Sequence, residues 1–441
     1  MSRVLASTVQ KVSVNKLVAL AVGCVILGAG SAAWAQEAPV AAVVEGGGVK
    51  VGDGTVIHPI LGVETGVVSN VFYESANTNV AGLLKIIGEL VLGSLPAERM
   101  QSSSDQDDEL RNFGDIAFRA WIRGEYNEYL SSDDNVQAQR DLGLQLSAQG
   151  IVFPKRTLQF AFSDDFRREI RPVNFESNEN VDRDINRIGL QLRYRPRNRT
   201  LHGSLQYTNV VDYFEDESQK FANRIQHSFG VTASWQWLPI TRVYADASIG
   251  VFDGLGSQST RPTSFPLRIN LGIASALTVK TSLNARVGFG KGFYETGPDF
   301  TNITTAIQFG YRFSPQARFA AAYTYDFEDS INANFYRDHA FKLRMEHRLD
   351  RFAFSAGAEV RLRQYRGIIS EVMTTATDRN DLIFAAPLGA IYNFRNWIAA
   401  TLDYQVQIVR TDFRYNPDMN DPLDDPSFVR QTLMLGVRAA Y

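Results

Sequence analysis

From residue 59 onward, apolar and polar side chains alternate with a two-residue period in segments of roughly ten or more residues, the spacing of strands with unlike faces. Leu201, Leu205 and Tyr207 share one face of such a segment, with His202, Ser204, Gln206 and Thr208 on the other. Phe341, Leu343 and Met345 alternate with Lys342, Arg344 and Glu346. The final segment sets Leu433, Leu435, Val437, Ala439 and Tyr441 against Thr432, Met434, Gly436, Arg438 and Ala440. The connections alternate too. One set is tight, as at Pro196-Arg197-Asn198, Leu238-Pro239-Ile240, Ser314-Pro315-Gln316 and Leu349-Asp350-Arg351. The other is longer and rich in Asp, Asn, Ser and Gly, as at Arg171 to Asp182, Asp253 to Ser264, Gly367 to Thr377 and Asn416 to Ser427.

The pattern predicts strands at 59–72, 78–95, 110–128, 136–152, 156–169, 183–195, 199–214, 221–238, 241–252, 265–278, 281–294, 300–313, 316–328, 334–349, 351–366, 379–393, 396–413 and 428–441. That is eighteen, with sixteen as the alternative count. The segment 78–95 also reads as a short helix, but Leu84, Ile86, Leu90 and Leu92 fall on one two-period face and favour a strand. An even count puts both termini on one side, and the short turns of outer-membrane barrels are periplasmic, so both ends are expected in the periplasm.

Length separates this pattern from a soluble β protein. The segments run to roughly 14 residues, whereas globular strands are usually about 5–6. A tilted strand needs about 9–11 residues to cross the hydrocarbon, and only a closed sheet leaves no backbone group unpaired there. The fold expected is therefore all-β, a transmembrane antiparallel barrel over residues 59–441. Of 17 Tyr and 28 Phe, many lie at strand ends. Phe153, Tyr194, Trp235, Trp237, Phe313, Tyr392, Phe394 and Tyr441 flank the tight turns, and Phe72, Tyr126, Tyr213, Phe293, Phe327, Tyr365 and Phe413 flank the long loops. Two such belts match aromatic girdles at the two lipid interfaces.

The N-terminus reads as a secretory signal. Lys11 and Lys16 precede an apolar run from Leu17 to Leu27, and small residues end at Ala33-Trp34-Ala35, so cleavage is expected after Ala35. Residues 36–58 would then form a short periplasmic segment, too short for a plug domain. The only cysteine, Cys24, lies inside the apolar run, which leaves the mature chain without thiol chemistry. Tyr441 closes an alternating strand and reads as the sorting signal for the barrel assembly machinery.

Charge and candidate chemistry change the picture only inside the barrel. A net charge of −3 with 21% charged residues gives no global bias toward nucleic acid. With apolar residues facing lipid, the opposite face carries Arg119, Arg123, Arg193, Arg242, Arg268, Arg286, Arg312, Lys342, Arg344, Arg348, Arg361 and Arg363. Fewer carboxylates share it: Asp141, Asp246, Glu346, Glu359 and Asp403. Such a wall either favours anions or holds itself together by ion pairs between neighbouring strands. The five histidines have no metal-ligand spacing, and His202 and His339 fall on opposite faces. Gly288-Phe289-Gly290-Lys291-Gly292 lacks phosphate-loop spacing. No enzyme, cofactor or metal is expected.

The opening stretch Leu61-Gly62-Val63-Glu64-Thr65-Gly66-Val67-Val68-Ser69-Asn70-Val71-Phe72-Tyr73 resembles the start of the outer-membrane β-barrel porins found alongside exopolysaccharide biosynthesis, where a G…SNVF/Y strand opens a repetitive barrel. The resemblance implies an outer-membrane exit for polysaccharide made by Wzx/Wzy-type pathways, working with periplasmic export proteins. The expected function is thus exopolysaccharide export. A general or anion-selective diffusion porin for small hydrophilic solutes is the alternative, and a structural or adhesive barrel the third reading.

Overall fold

The computed structural model describes residues 48–51, 55–76, 78–94, 115–169, 182–196, 200–259, 261–331, 333–368, 378–414 and 425–441. Ala35, Cys24 and the polar stretch 101–109 lie outside them. A short strand β1 (Val49–Val51) precedes β2 (Thr55–Val68), β3 (Ala81–Gly93), β4 (Ile116–Leu130), β5 (Asp141–Val152), β6 (Leu158–Glu169) and β7 (Arg183–Tyr194). Then come β8 (Leu201–Phe214), β9 (Arg224–Leu238), β10 (Thr241–Gly254), β11 (Ser264–Ser275), β12 (Thr281–Tyr294) and β13 (Phe300–Ser314). The last six are β14 (Ala317–Asp329), β15 (Ala333–Leu349), β16 (Phe352–Ile368), β17 (Asp378–Arg395), β18 (Ile398–Thr411) and β19 (Phe428–Ala440).

Each strand from β2 to β19 pairs antiparallel with its neighbour in sequence, and β19 pairs with β2 from Ala440↔Ile60 to Thr432↔Val68. Eighteen strands therefore close on themselves with no free edge. All eighteen expected segments are strands, 78–95 included; β3 runs Ala81–Gly93 with full ladders to β2 and β4. The sheet is closed although β1, a three-residue strand, hangs on β2 outside the circuit.

The alternation sorts side chains as expected. Leu61, Val63, Leu205, Phe229, Val231, Leu271, Val287, Leu343, Leu435 and Val437 are all exposed on the outer wall. Exposed apolar surface on this scale has no place in water and marks contact with hydrocarbon. Around the tight turns Phe153, Tyr194, Trp235, Trp237, Phe313, Phe394 and Tyr441 point outward, forming one girdle. The opposite girdle is thinner than the sequence implied. Tyr126, Tyr213 and Phe293 are exposed there, but Phe327, Tyr365 and Phe413 are buried and Phe72 is partly buried against the cluster that includes Val68, Leu83 and Tyr129. Near the long loops the chain leaves the regular wall, so two-residue parity no longer decides which way a side chain faces.

Several strand boundaries also differ, two of them for a plain local reason. The strand expected at 59–72 ends at Val68, because Asn70 spends its amide on backbone groups of Glu74 and Val429 and turns the chain inward. The strand expected from 136 begins at Asp141, since Asp133 caps a one-turn helix, Asp134–Gln137, through Asn135 N–H.

The outward orientation gives a direct prediction. Leu435→Arg places a guanidinium on the lipid face of β19 and should cost about 2–4 kcal/mol if near the bilayer midplane. Refolding into lipid vesicles, followed by heat-modifiable migration on gels, should show a large drop in folded yield. Wild-type yield would mean this face does not meet hydrocarbon.

Candidate functional site

The long-loop half of the lumen is built by a hairpin that leaves the wall. β14 stays paired with β13 only up to Tyr325↔Thr305, whereas it remains paired with β15 through Asp329↔Phe335. Its last residues thus swing off β13 and over the inner face of β12 and β13. Phe327 becomes fully buried and stacks on Phe300 at 4.0 Å, and Phe335 meets Phe300 edge-on at 5.5 Å and Tyr294 at 5.6 Å. Inward glycines of β12 make the room. A Cβ on Gly290 would lie 2.7 Å from the Phe327 ring and one on Gly292 3.0 Å from it. Packing, not phosphate binding, explains these glycines. Gly290→Val should displace the aromatic cluster, read as a lowered thermal midpoint in detergent; an unchanged midpoint would mean Phe327 has another seat.

Past Phe327 the hairpin tip crosses the mouth. Ile331 packs against Phe214, at the end of β8, and Ala222, in the 3-10 turn after it; β8 lies six strands round the wall from β14. Arg261 donates to the Ile331 carbonyl at 2.5 Å, and Ser264 Oγ donates to Asp329 at 2.9 Å. The tip is therefore pinned at both flanks by backbone and side-chain bonds, forming a strap over part of the lumen.

Charged side chains line the inner face beneath and beside the strap. Asp338 accepts from Arg361 Nη1 at 3.0 Å and from Arg363 Nε and Nη2, both at 2.8 Å. Arg363 is fully buried, with its guanidinium 3.9 Å over the Tyr336 ring and 5.8 Å from Tyr365. Arg361 also bonds Glu359, which Lys342 approaches at 3.4 Å. A cavity of about 20 Å³, one water's worth, lies among Asp326, Glu328, Tyr336, Asp338, Lys342 and Arg361. Further round, Asp212 holds Arg183 at 2.5 Å and Arg224 at 2.6 Å, and Arg379 pairs with Asp381 at 2.8 Å. At the closure seam Arg438 pairs with Glu64 at 2.6 Å.

The arginines anticipated from sequence take different places. Arg268 and Arg286 reach Asp326 at 3.3 and 3.9 Å, Arg123 reaches Glu125 at 3.2 Å, and Arg344 reaches Glu346 at 2.8 Å. Arg193 donates to Gln191 at 2.6 Å. Arg119 and Arg242 share the inner face and are also engaged. Arg312 and Arg348, toward the short-turn end, have no ion-pair partner among the described residues. Sequence reasoning missed Glu64, Asp212, Asp326, Asp338 and Asp381. Their parity within each strand is opposite to that of the exposed apolar residues and would have placed them inside.

The histidines do not converge. His227 and His339 lie on the outer wall, each beside a tyrosine hydroxyl, Tyr207 at 2.9 Å and Tyr323 at 3.0 Å.

A closed sheet with an oily exterior and an ionic interior has one setting. The chain is a closed eighteen-stranded transmembrane barrel of the kind that spans the Gram-negative outer membrane.

No protein-family model matches the chain, and no curated protein matches it in sequence. Solved structures that resemble it include Pseudomonas aeruginosa OccK2 (OpdF), also solved with glucuronate, at 11% identity and TM-score 0.44, covering 87% of this chain and 97% of that one. Pseudomonas aeruginosa OpdK with vanillate gives 10%, 0.46, 87% and 99%, and a BenF-like porin from Pseudomonas fluorescens Pf-5 gives 11%, 0.45, 87% and 98%. Likeness at these levels does not extend to what the barrel carries.

Proposed function

We propose that the protein is a diffusion porin that passes small hydrophilic solutes and favours anions. The observation that carries this reading is the strap of β14 and β15, packed on aromatic residues inside the mouth and surrounded by fixed charges. A passage narrowed by a pinned hairpin sieves solutes by size, and guanidinium groups in a confined lumen raise the local anion concentration. Arg312 and Arg348 would contribute most per group, since no carboxylate pairs directly with them among the described residues. Polysaccharide export, the expectation from the Leu61–Tyr73 resemblance, fits this lumen less well, because a polymer would have to displace the strap from Phe300 and Tyr294. The same reading puts the short turns and both termini in the periplasm, with cleavage after Ala35 and recognition of Tyr441 during assembly. In the structure Tyr441 N–H bonds Pro59 C=O at 3.0 Å while its ring faces outward.

Purified protein in a planar bilayer should give discrete current steps, with the zero-current potential in a salt gradient displaced toward that of chloride. Absence of steps would overturn the reading in favour of a structural or adhesive barrel. Cation preference would overturn its anionic half.

A further inference from the structure

The barrel wall is parted along one line. β13 begins at Phe300 and pairs with β12 from Phe300↔Gly292 onward, but its ladder to β14 begins only at Thr305↔Tyr325. Residues 300–304 of β13 and 326–329 of β14 therefore flank a cleft that no ladder crosses. Thr305 pairs with Val287, six residues below the girdle residue Phe293 on β12. At about 3.3 Å per residue and a tilt of about 40°, the cleft starts roughly 15 Å below that girdle, inside the hydrocarbon band. Ile303 and its β12 partner Phe289 are exposed on the outer wall beside it. Above them the Lys291 ammonium lies 4.3 Å from the Phe293 ring, as a lysine does when it reaches up to a lipid interface.

Backbone groups that meet acyl chains must find partners within the protein. Both lips of the cleft satisfy that demand with side chains. On β13, Ile303 N–H donates to Asn302 Oδ1 at 2.8 Å. On β14, Phe327 N–H donates to Asp326 Oδ1 at 2.8 Å, and Phe327 C=O accepts from the Arg268 guanidinium. Asn302 Nδ2 then crosses to the other lip, donating to Tyr325 Oη at 2.8 Å, and the Tyr325 ring stacks on His339 of the outer wall at 4.4 Å. Behind the cleft stand the Phe300, Phe327, Phe335 and Tyr294 rings, so an apolar surface runs from the mouth to the lips.

We propose that the cleft between β13 and β14 is a side exit, through which a solute with an apolar body passes between the mouth of the barrel and the outer leaflet of the membrane. Two contacts shut it in this structure, the Phe327 ring on Phe300 and the Asn302–Tyr325 bond. An intact ladder forbids such a route, because parting it bares a row of backbone groups to hydrocarbon. Here Asn302, Asp326 and Arg268 already hold those groups, and opening breaks one side-chain bond and one aromatic contact. The route goes beyond the diffusion reading, which concerns hydrophilic solutes moving along the lumen axis.

The chain's only cysteine is Cys24, outside the barrel, so Asn302→Cys with Tyr325→Cys can be bridged across the cleft by a short bifunctional thiol reagent. The probe is N-phenyl-1-naphthylamine, an uncharged dye that brightens in hydrocarbon and that a lipopolysaccharide leaflet excludes. Cells making the wild-type protein should take up the dye faster than cells without it. Entry through the unbridged double variant should rise roughly fivefold over wild type, the population shift expected from losing one neutral hydrogen bond. Bridging should return entry to that of cells without the protein, and leave single-channel current in planar bilayers unchanged. Dye entry indifferent to the bridge, wild-type entry no faster than that of cells without the protein, or a current that falls in step with dye entry would each overturn the exit. Should the double variant not fold, Asn302→Ala should give the same rise, and an unchanged rate there overturns the exit equally. Bridge-sensitive dye entry with no current in any variant would sink the diffusion reading and leave the exit standing.

Discussion

Asp338→Asn is expected to destabilise the barrel by about 3–5 kcal/mol, the usual cost of removing one partner from a buried ion pair. The size follows from what the carboxylate holds. Three donor atoms of Arg361 and Arg363 converge on it within 3.0 Å, and Arg363 is clamped beside Tyr336 with no exposure to water. Asparagine fills the same space but leaves two buried guanidinium groups, with Glu359 bonded to only one of them. The thermal midpoint of the folded, fast-migrating band on unheated gels should drop sharply, and Asp338→Glu should restore part of it. A midpoint equal to wild type would show that the cluster is hydrated and screened rather than buried.

Phe327→Ala should release the strap. Truncating a buried phenylalanine typically costs about 3–5 kcal/mol, and here the loss falls on a hairpin that sets Phe327 and Phe335 against the Phe300 and Tyr294 rings. The anchors that remain, among them the Arg261 bond to Ile331, the Ser264 bond to Asp329 and the Asn334 bond to Thr296 C=O, tether the tip without its main aromatic contact. Single channels of the variant should show larger and noisier steps than wild type, with bulkier solutes now admitted in vesicle-swelling assays. Identical conductance and size cut-off would mean that the strap does not set the narrowest passage.

Much of the barrel was legible because lipid on one side and water on the other impose a strict two-residue code. Strand number and order, the outer face and one aromatic girdle follow from it. The code blurs where a third environment appears. β3 carries apolar residues on both faces because Leu83 and Ala81 pack inward on Val68, Val71, Tyr129 and Val136, which is why helix and strand competed there. Phe327 has outward parity but turns inward once β14 parts from β13, a matter of ladder length that no local pattern records. The carboxylate partners were readable in principle, since Asp338 shares its parity with Lys342 and Arg344. Which arginine would lack a partner was not, because pairing depends on neighbours across strands and on loops. The Leu61–Tyr73 stretch carries a family likeness, yet the physical meaning of its end lies in the Asn70 bonds that close a strand.

Those bonds join the second strand of the described chain to the last, residues about 360 positions apart. A polypeptide still lacking β19 keeps only the local Asn70–Glu74 bonds and lacks the Val429 and Gln431 partners that tie the turn around Tyr73 to the wall. The mouth matures only when the seam zips shut, and trapping of Tyr73 from quenchers or proteases in its turn would report completed insertion, separating finished barrels from stalled ones in an assembly reaction.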